Sequence, residues 1–173
     1  IFDGVEQYHE KSMQFWKDHL LFSRRIYEKY CRTDRIYCNT SVSRCYYAYK
    51  DKSSCGTWFE KIRGIWKNCD IVIVEGVRSH CGVENNLFSH AASIERIIGP
   101  ASNAYIKLDD LKTECLKYPK DRLFLLALGA AAKPLAEYLF LKGYRVIDIG
   151  NLDMEYEWFL RGTENKIKLK KHC

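Results

Sequence analysis

The apolar positions of this chain follow two kinds of pattern, one with a helical period and one continuous. Between Phe15 and Tyr30, large apolar side chains recur three and four positions apart with charges between them, which predicts a long helix over the first thirty residues. Similar spacing predicts a second helix over residues 54–68. The continuous apolar runs at 71–74 and 123–128 are typical of strands that are buried on both faces.

Shorter segments extend this into an alternation of strands and helices. Further strands are predicted at 36–38, 96–98 and 145–149, a polar turn at 39–41, a loop at 76–86, and helices at 87–94, 109–117, from Pro134 to 141, and 154–160. Strands that alternate with helices predict βαβ units and a mostly parallel, open sheet flanked by helices. The fold class is therefore α/β. The 173 residues contain no repeat or linker, so one domain over 1–173 is expected.

Charge changes this picture only a little. The net charge of +6 favours anionic partners, but the basic residues occur in local runs, and the lysine-rich tail from Lys166 onward is interpreted as solvated. Basic and aromatic residues do not alternate as they do on nucleic-acid platforms, so no nucleic acid is expected. The chain has no apolar run of about 18 residues or more, so no membrane span is expected.

Eight cysteines could suggest a secreted disulfide framework, but the chain shows neither a cleavable signal segment nor a Cys-x-x-Cys pair. Several of them fall inside predicted strands and helices. Reduced thiols and a cytoplasmic location are therefore predicted. A nucleophile formed by Cys81 with His80 or His90 is a weaker hypothesis, because no activating environment is identifiable.

In open parallel sheets, ligands bind beyond the carboxyl ends of the strands, and this rule selects residues 75–79, 129–133 and 148–157. The last segment carries four carboxylates: Asp148, Asp153, Glu155 and Glu157. An Asp-x-Glu pair in extended or turn geometry can direct both side chains toward one divalent cation. A helix N-terminus that carries acidic residues explains the same pattern, so both interpretations stay open.

Three other positions are candidates for substrate contacts. Glu75 ends a buried strand and could orient a hydroxyl, act as a base or pair with an arginine. Arg44 could hold a phosphate through two hydrogen bonds, or form a surface ion pair. Gly129 precedes a predicted helix N-terminus, where close backbone approach favours an anion. The segment lacks the ending of a P-loop and the glycine pattern of dinucleotide-binding folds, which disfavours ATPase and dehydrogenase activities.

Three stretches resemble blocks of the bacterial GT-D glycosyltransferase family, first catalogued as a domain of unknown function. The first runs from IVIVEG at 71–76 through Ser79, Gly82 and Asn85 to Phe88. The second covers residues 93–104 and includes Asn103. The third covers residues 143–158 and reads GYRVIDIGNLDMEYEW. Weaker similarity extends back to Phe15, so the resemblance covers nearly the whole chain.

This resemblance implies a Rossmann-like GT-D fold and transfer of a hexose from a UDP-sugar to a glycan or glycoprotein acceptor, as in protein glycosylation or polysaccharide biosynthesis. It also implies a divalent metal at Asp153 and Glu155, most simply Mn²⁺, with Mg²⁺ as the alternative. Glu157 is the preferred base that activates the acceptor, and Glu75 is the second choice. Residues expected to bind substrate are Arg44, Gly76, Ser79, Gly82, Asn85, Asn103, Gly129, Asp148 and Asn151.

The chain departs from the family pattern at His80, Glu84, Asn86, Asn151 and residues 129–132. The family's Arg-Phe-Gly-Asp-Gly-Glu segment does not occur, so an N-terminally truncated domain is expected, and another chain or an oligomer is expected to cover the surface this leaves. These departures motivate an alternative, a catalytically inactive GT-D-like binding or partner module. A hydrolase that uses the same carboxylates on phosphate is a third hypothesis.

Overall fold

The core of the protein is a four-stranded parallel sheet. The structure is a computed structural model, which describes residues 4–37 and 40–169. The strands are β1 (Asp70–Gly76), β2 (Ser93–Gly99), β3 (Leu123–Ala127) and β4 (Arg145–Asp148). Their order in the sheet is β2-β1-β3-β4, and every neighbouring pair is parallel. The predicted α/β fold with a parallel open sheet is confirmed.

Strand β1 lies in the middle of the sheet because its sequence is apolar on both faces. Ile71 and Ile73 belong to the core on one side, while Val72 and Val74 belong to the core on the other, and all four are fully buried. β-branched side chains suit this position because they pack well on a pleated surface that is covered on both faces.

Five helices are described: α1 (Glu10–Tyr30), α2 (Cys55–Gly64), α3 (Leu108–Cys115), α4 (Ala132–Leu141) and α5 (Leu152–Leu160). Apolar side chains of α2 and α5 pack on one face of the sheet, and those of α3 and α4 pack on the other. Gly143, at a φ of +84°, follows the end of α4 and reverses the chain into β4. The sheet is therefore covered on both faces.

Two predicted elements are wrong. Residues 36 and 37 are not in a strand, and Cys38 and Asn39 lie outside the described residues. Residues 87–92 form turns instead of a helix, and β2 begins at Ser93. The helical prediction failed there because Leu87 and Phe88 lie in a turn that packs into the core. The Leu87 carbonyl in this turn accepts a hydrogen bond from Trp66 Nε1 at 3.1 Å.

Helix α1 is confirmed, but its apolar stripe is largely exposed. Among its residues only Ser23 is buried, and Leu21 and Phe22 are more than four-fifths exposed. In the part of the chain that the structure describes, no helix is long and apolar enough to cross a membrane. The described residues include free thiols at Cys31, Cys45, Cys55, Cys69, Cys81 and Cys115.

The loop after β1 depends on a glycine. Gly82 has a φ of +72°, and a Cβ there would lie 2.3 Å from Cδ2 of buried Phe88. Gly162 has a similar φ of +61°, but a Cβ at that position would meet no atom of the described residues within 4 Å. We expect Gly162→Ala to cost about 1–2 kcal/mol of unfolding free energy through backbone strain alone. Gly82→Ala should cost about 1–3 kcal/mol more through the clash.

Denaturant unfolding of the two variants measures this difference. Equal losses for Gly82→Ala and Gly162→Ala would contradict the packing of Phe88 against Gly82.

The candidate site at the carboxyl edge of the sheet

A crevice opens where β1 and β3 lie side by side. The chain after β1 contributes Cys81 and Leu87 to the core on the α2 and α5 face, whereas α4, which follows β3, packs on the opposite face. The connections that follow two adjacent parallel strands can pass over opposite faces of the sheet. A crevice that can bind a ligand then forms between the carboxyl ends of the two strands. The predicted ligand edge therefore includes a topological switch point.

A cavity of about 670 Å³ lies at this point, and we call it the strand-end cavity. It brings together four of the predicted substrate-binding residues: Gly76, Ser79, Asn103 and Gly129. Arg78 and the largely exposed ring of Tyr105 also line it. Glycine is needed at position 76, where a Cβ would lie 2.9 Å from the carbonyl oxygen of Pro100. The cavity combines polar groups, a cation and one aromatic surface.

A second cavity, of about 550 Å³, lies by the end of β4 and is called here the cationic cavity. Two of the predicted residues, Arg44 and Asp148, line it, together with Lys11, Lys133 and Lys166. Asp148 Oδ2 accepts a hydrogen bond from Lys133 Nζ at 2.6 Å, and its Oδ1 accepts one from the Gly150 amide at 3.0 Å. Four basic side chains around one carboxylate give this cavity an excess of positive charge.

The chain at the start of α4 contributes to both cavities. Residues 129–131 line the strand-end cavity, and Lys133 lines the cationic cavity. Backbone N–H groups at a helix N-terminus attract anions, and the ten residues of α4 are aligned behind them. This edge therefore favours an anionic ligand.

One face of α5 holds the loop that follows β1. Asp153 Oδ1 accepts hydrogen bonds from the Gly82 amide and from Asn85 Nδ2, both at 2.8 Å. Asn85 Nδ2 also donates to Glu157 Oε1 at 2.8 Å, and Arg161 donates to Glu157 Oε2 at 3.2 Å. Asp153, Glu157 and Arg161 are four residues apart, which aligns them on one side of the helix. Gly82 and Asn85 thus lie in a partly buried polar network outside the two cavities.

The opposite face of α5 holds the segment that carries Arg44. Glu155 Oε2 accepts hydrogen bonds from the backbone amides of Tyr46 at 3.1 Å and Tyr47 at 2.7 Å. Burial raises the pKa of Glu155, opposed by these two hydrogen bonds and by the charges of Arg44 and Lys166. Glu155 therefore holds the backbone of residues 46–47 and also interacts electrostatically with two basic side chains that line the cationic cavity.

The predicted metal pair does not fit one shared ion in this arrangement. The expected extended or turn geometry is wrong, because both residues lie in the first turn of α5. Side chains two positions apart in a helix point about 200° away from each other, and Asp153 and Glu155 accept hydrogen bonds from different loops. Among the described residues, no group of three or more His, Cys, Asp or Glu could hold a metal ion. Asp148 is the carboxylate that reaches the cationic cavity.

The predicted bases lie inside the structure. Glu75 is 1% exposed; its Oε2 accepts the Cys81 amide at 2.7 Å, and its Oε1 pairs with Arg96. Arg96 also donates to the Cys81 carbonyl at 2.8 Å. Glu157 is similarly buried in the network around Asn85. Neither carboxylate lines the strand-end or the cationic cavity, so their roles as bases stay predictions.

The other positions singled out from the sequence lie outside both cavities. Asn151 precedes α5 and is exposed, without a side-chain hydrogen bond that caps the helix. His80 and Glu84 have positive φ values of +47° and +64°, and Asn86 Oδ1 accepts a hydrogen bond from Tyr156 at 2.7 Å. Cys81 is 1% exposed, so its thiol is poorly placed for the nucleophilic role suggested with His80 or His90.

The sequence patterns missed part of the cationic cavity. Lys166 is exposed, as expected for a solvated tail, but its Nζ also lies 4.3 Å from the centre of the Tyr47 ring. Lys166, Lys11 and Trp16 all line the cavity. Lys133 lies in one of the three segments that the strand-end rule selected, so the sequence did indicate that it could contact a ligand. Nothing in the sequence around Lys11 or Lys166 indicated that both side chains line the same cavity.

The sequence profile of the glycosyltransferase GT-D fold family matches residues 1–173. The chain belongs to this family. It is 43% identical over 169 residues to a probable glycosyl transferase Gly of Streptococcus gordonii, a match that covers 98% of this chain and 25% of the relative. It is also 43% identical over 157 residues to glycosyltransferase GlyD of Streptococcus pneumoniae, covering 91% of this chain and 19% of that protein.

Solved GT-D structures share the fold. A glycosyltransferase (DUF1792) from Streptococcus sanguinis superposes with a TM-score of 0.92 at 41% identity, covering 97% of this chain and 63% of that one. A domain of unknown function 1792, described as having a distinct glycosyltransferase fold, gives 0.92 at 38% identity and covers 96% and 60%. The GT-D chain thus spans a quarter or less of the curated relatives it matches, and about three-fifths of these structures.

The raised pKa of Glu155 predicts how stability depends on pH. Because its folded pKa lies above its unfolded value of about 4.3, the protonated form is favoured in the fold. The stability that this group contributes is present below the unfolded pKa and is lost as pH rises through the folded pKa. Glu155→Gln keeps an oxygen acceptor for the Tyr46 and Tyr47 amides without the charge. We therefore expect wild type to lose stability relative to Glu155→Gln as the pH rises from the unfolded pKa through the folded pKa.

Thermal unfolding of the two proteins across this pH range measures the difference. Glu155→Ala removes the acceptor and measures what these hydrogen bonds contribute. It should lower the free energy of unfolding by about 1–3 kcal/mol, because buried amides lose their acceptor. A difference between wild type and Glu155→Gln that does not change with pH would contradict the burial of the charged carboxylate.

Proposed function

We propose that this chain is the donor-binding part of a metal-dependent glycosyltransferase that moves a hexose from a UDP-sugar to a glycan or glycoprotein acceptor. Membership of the GT-D family supports the reaction class. The observation that carries the choice of donor is the cationic cavity, where Lys11, Arg44, Lys133 and Lys166 surround a single carboxylate at the carboxyl edge of the sheet. Such a charge excess suits the diphosphate of a nucleotide sugar.

The nucleoside and the diphosphate of the donor would occupy different cavities at this edge of the sheet. We assign uridine to the strand-end cavity, where the Tyr105 ring offers a stacking surface and Asn103 and Ser79 can hydrogen-bond to a base or a ribose. The diphosphate then passes the N-terminus of α4 into the cationic cavity, where Arg44 can engage a phosphate through two hydrogen bonds. Volumes of about 670 and 550 Å³ are in the range of small-molecule sites.

The metal is part of this proposal. A divalent ion that binds together with substrate phosphates needs only one or two protein carboxylates. Asp148 can supply one from its place in the cationic cavity, whereas in the family-implied pair Glu155 Oε2 already accepts hydrogen bonds from the Tyr46 and Tyr47 amides. When bound, Mn²⁺ or Mg²⁺ would stabilise the negative charge on the departing nucleotide. The chain's own contribution is to orient the diphosphate with Arg44 and Lys133.

The acceptor hydroxyl, its base and a partner chain remain proposals. A base role for Glu157 or Glu75 would require a rearrangement that exposes the carboxylate, since both are buried here. A cytoplasmic location is consistent with a UDP-sugar donor. The exposed apolar stripe of α1 is the surface on which a second chain or further copy is expected.

Thermal-shift titration with UDP-glucose, with and without Mn²⁺, tests the donor site. At about 100 times its dissociation constant, the ligand should stabilise the protein by roughly 2.7 kcal/mol. Arg44→Ala should abolish most of this gain, because it removes a cation from the diphosphate. Arg24→Ala is the matched control: Arg24 is an exposed arginine of α1 paired with Glu28, away from the cavity. Asp148→Asn should remove the Mn²⁺-dependent part of the gain.

No stabilisation of the folded protein by UDP-glucose, with or without Mn²⁺, would contradict the donor site and favour the inactive binding module. A Mn²⁺ effect lost in Asp153→Asn but kept in Asp148→Asn would assign the metal to the family-implied pair. Metal-dependent release of phosphate without any acceptor would favour the hydrolase.

A further inference from the structure

A third cavity adjoins the cationic cavity and belongs to neither donor segment. Its volume is about 650 Å³, and its lining includes Trp58, Tyr49, Gln7, Asp51 and Lys50. Ser41 and Val42 line both this cavity and the cationic cavity. Residues 41–42 therefore form the wall between them. We call it the Trp58 cavity.

Its chemistry differs from that of its neighbour. Among the described residues of the lining, Lys50 and Asp51 carry opposite charges and leave no cationic excess to hold a diphosphate. Gln7 and Ser54 add neutral donors and acceptors at the rim. Aromatic rings together with a few neutral or balanced polar groups suit an uncharged ligand with one apolar face and many hydroxyls, which is the chemistry of a sugar ring.

Trp58 provides a fixed platform for such a ring. It is 38% exposed, whereas Phe59 beside it on α2 is 1% exposed and belongs to the core. Trp58 Nε1 donates a hydrogen bond to the Val42 carbonyl at 3.0 Å. This bond holds the edge of the indole against the shared wall and leaves part of the ring surface open. A ring oriented in advance loses little conformational freedom when a ligand stacks on it.

The thiols nearby do not suggest covalent chemistry. Cys45 and Cys55 line the floor of the cavity, and Cys55 Sγ donates to the Cys45 carbonyl at 3.1 Å. Burial raises the pKa of both thiols, which keeps them protonated and unreactive. The cavity is thus a binding surface.

We infer that the Trp58 cavity binds a neutral pyranose ring of the acceptor, next to the sugar end of the donor. This assignment rests on the proposed function for its acceptor role. In that arrangement uridine, diphosphate and hexose follow the carboxyl edge of the sheet, and the hexose reaches the wall formed by residues 41–42. An acceptor hydroxyl that extends past residues 41–42 would then face the donor.

The indole N–H signals in ¹H–¹⁵N NMR spectra test the inference, because the tryptophans occupy different sites. Trp58 reports the Trp58 cavity, Trp16 reports the cationic cavity, and fully buried Trp66 is the internal control. The probes are the methyl glycosides of glucose, galactose and N-acetylglucosamine at millimolar concentration, and, separately, UDP with diamagnetic Mg²⁺. We expect at least one glycoside to shift the Trp58 signal and UDP to shift the Trp16 signal, with Trp66 unchanged.

Substitutions at Trp58 separate stacking from general loss of structure. Trp58→Ala should weaken glycoside binding by about tenfold, or about 1.4 kcal/mol, read from the signals of backbone amides around Gln7 and Asp51. Trp58→Phe should restore most of the affinity, because it keeps an aromatic face. Both variants should melt close to wild type, since the ring lies outside the core.

The outcomes are distinguishable. If no glycoside shifts Trp58 while UDP shifts Trp16, the acceptor site is overturned and the donor proposal survives. If glycosides bind Trp58→Ala as tightly as wild type, the stacking platform is overturned. If glycosides shift Trp58 but UDP leaves every signal unchanged, the donor proposal fails, and the acceptor role fails with it.

Discussion

The site depends on buried carboxylates of α5 that accept hydrogen bonds from backbone amides of two distant loops. Asp153 binds the Gly82 amide, and Glu155 binds the Tyr46 and Tyr47 amides from the opposite side of the same helix. Buried backbone amides need acceptors, and a charged acceptor forms a stronger hydrogen bond than a neutral one. Because residues 46–47 and 82 have no regular secondary structure, these hydrogen bonds substitute for a helix or sheet ladder in fixing their positions.

That constraint explains how the cavities arise. Glu155 fixes the segment whose Arg44 lines the cationic cavity and whose Cys45 lines the Trp58 cavity. The Glu75–Arg96 pair and Asp153 together fix the loop after β1, which carries Ser79 into the strand-end cavity. Buried acids thus act as scaffold, and most of the charged side chains that line the cavities are basic. A nucleotide sugar beside a neutral sugar acceptor suits this division.

The fold was predictable from sequence where one physical signal dominated. The runs at 71–74 and 123–128 predicted the central strands, and the strand-end rule selected Ser79, Gly129 and Asp148 without knowledge of their contacts. Residues 87–92 were mispredicted because tertiary packing of Leu87 and Phe88 outweighed their local helical pattern. The Asp-x-Glu spacing could not reveal that its two members point to opposite sides of a helix. Lys11 and Lys166 lie near opposite ends of the chain, so only the folded chain could place both at one cavity.

Amide hydrogen exchange of the free protein, with and without Mn²⁺, tests the scaffold role of the α5 carboxylates most directly. The amides of Tyr46, Tyr47 and Gly82 lie in segments without regular structure and would exchange quickly unless carboxylates hold them. We predict that these three amides are protected and that Mn²⁺ leaves their protection unchanged. Rapid exchange in the free protein, or release of the Tyr46 and Tyr47 amides on addition of Mn²⁺, would contradict the scaffold role and show that Glu155 is free to serve a metal.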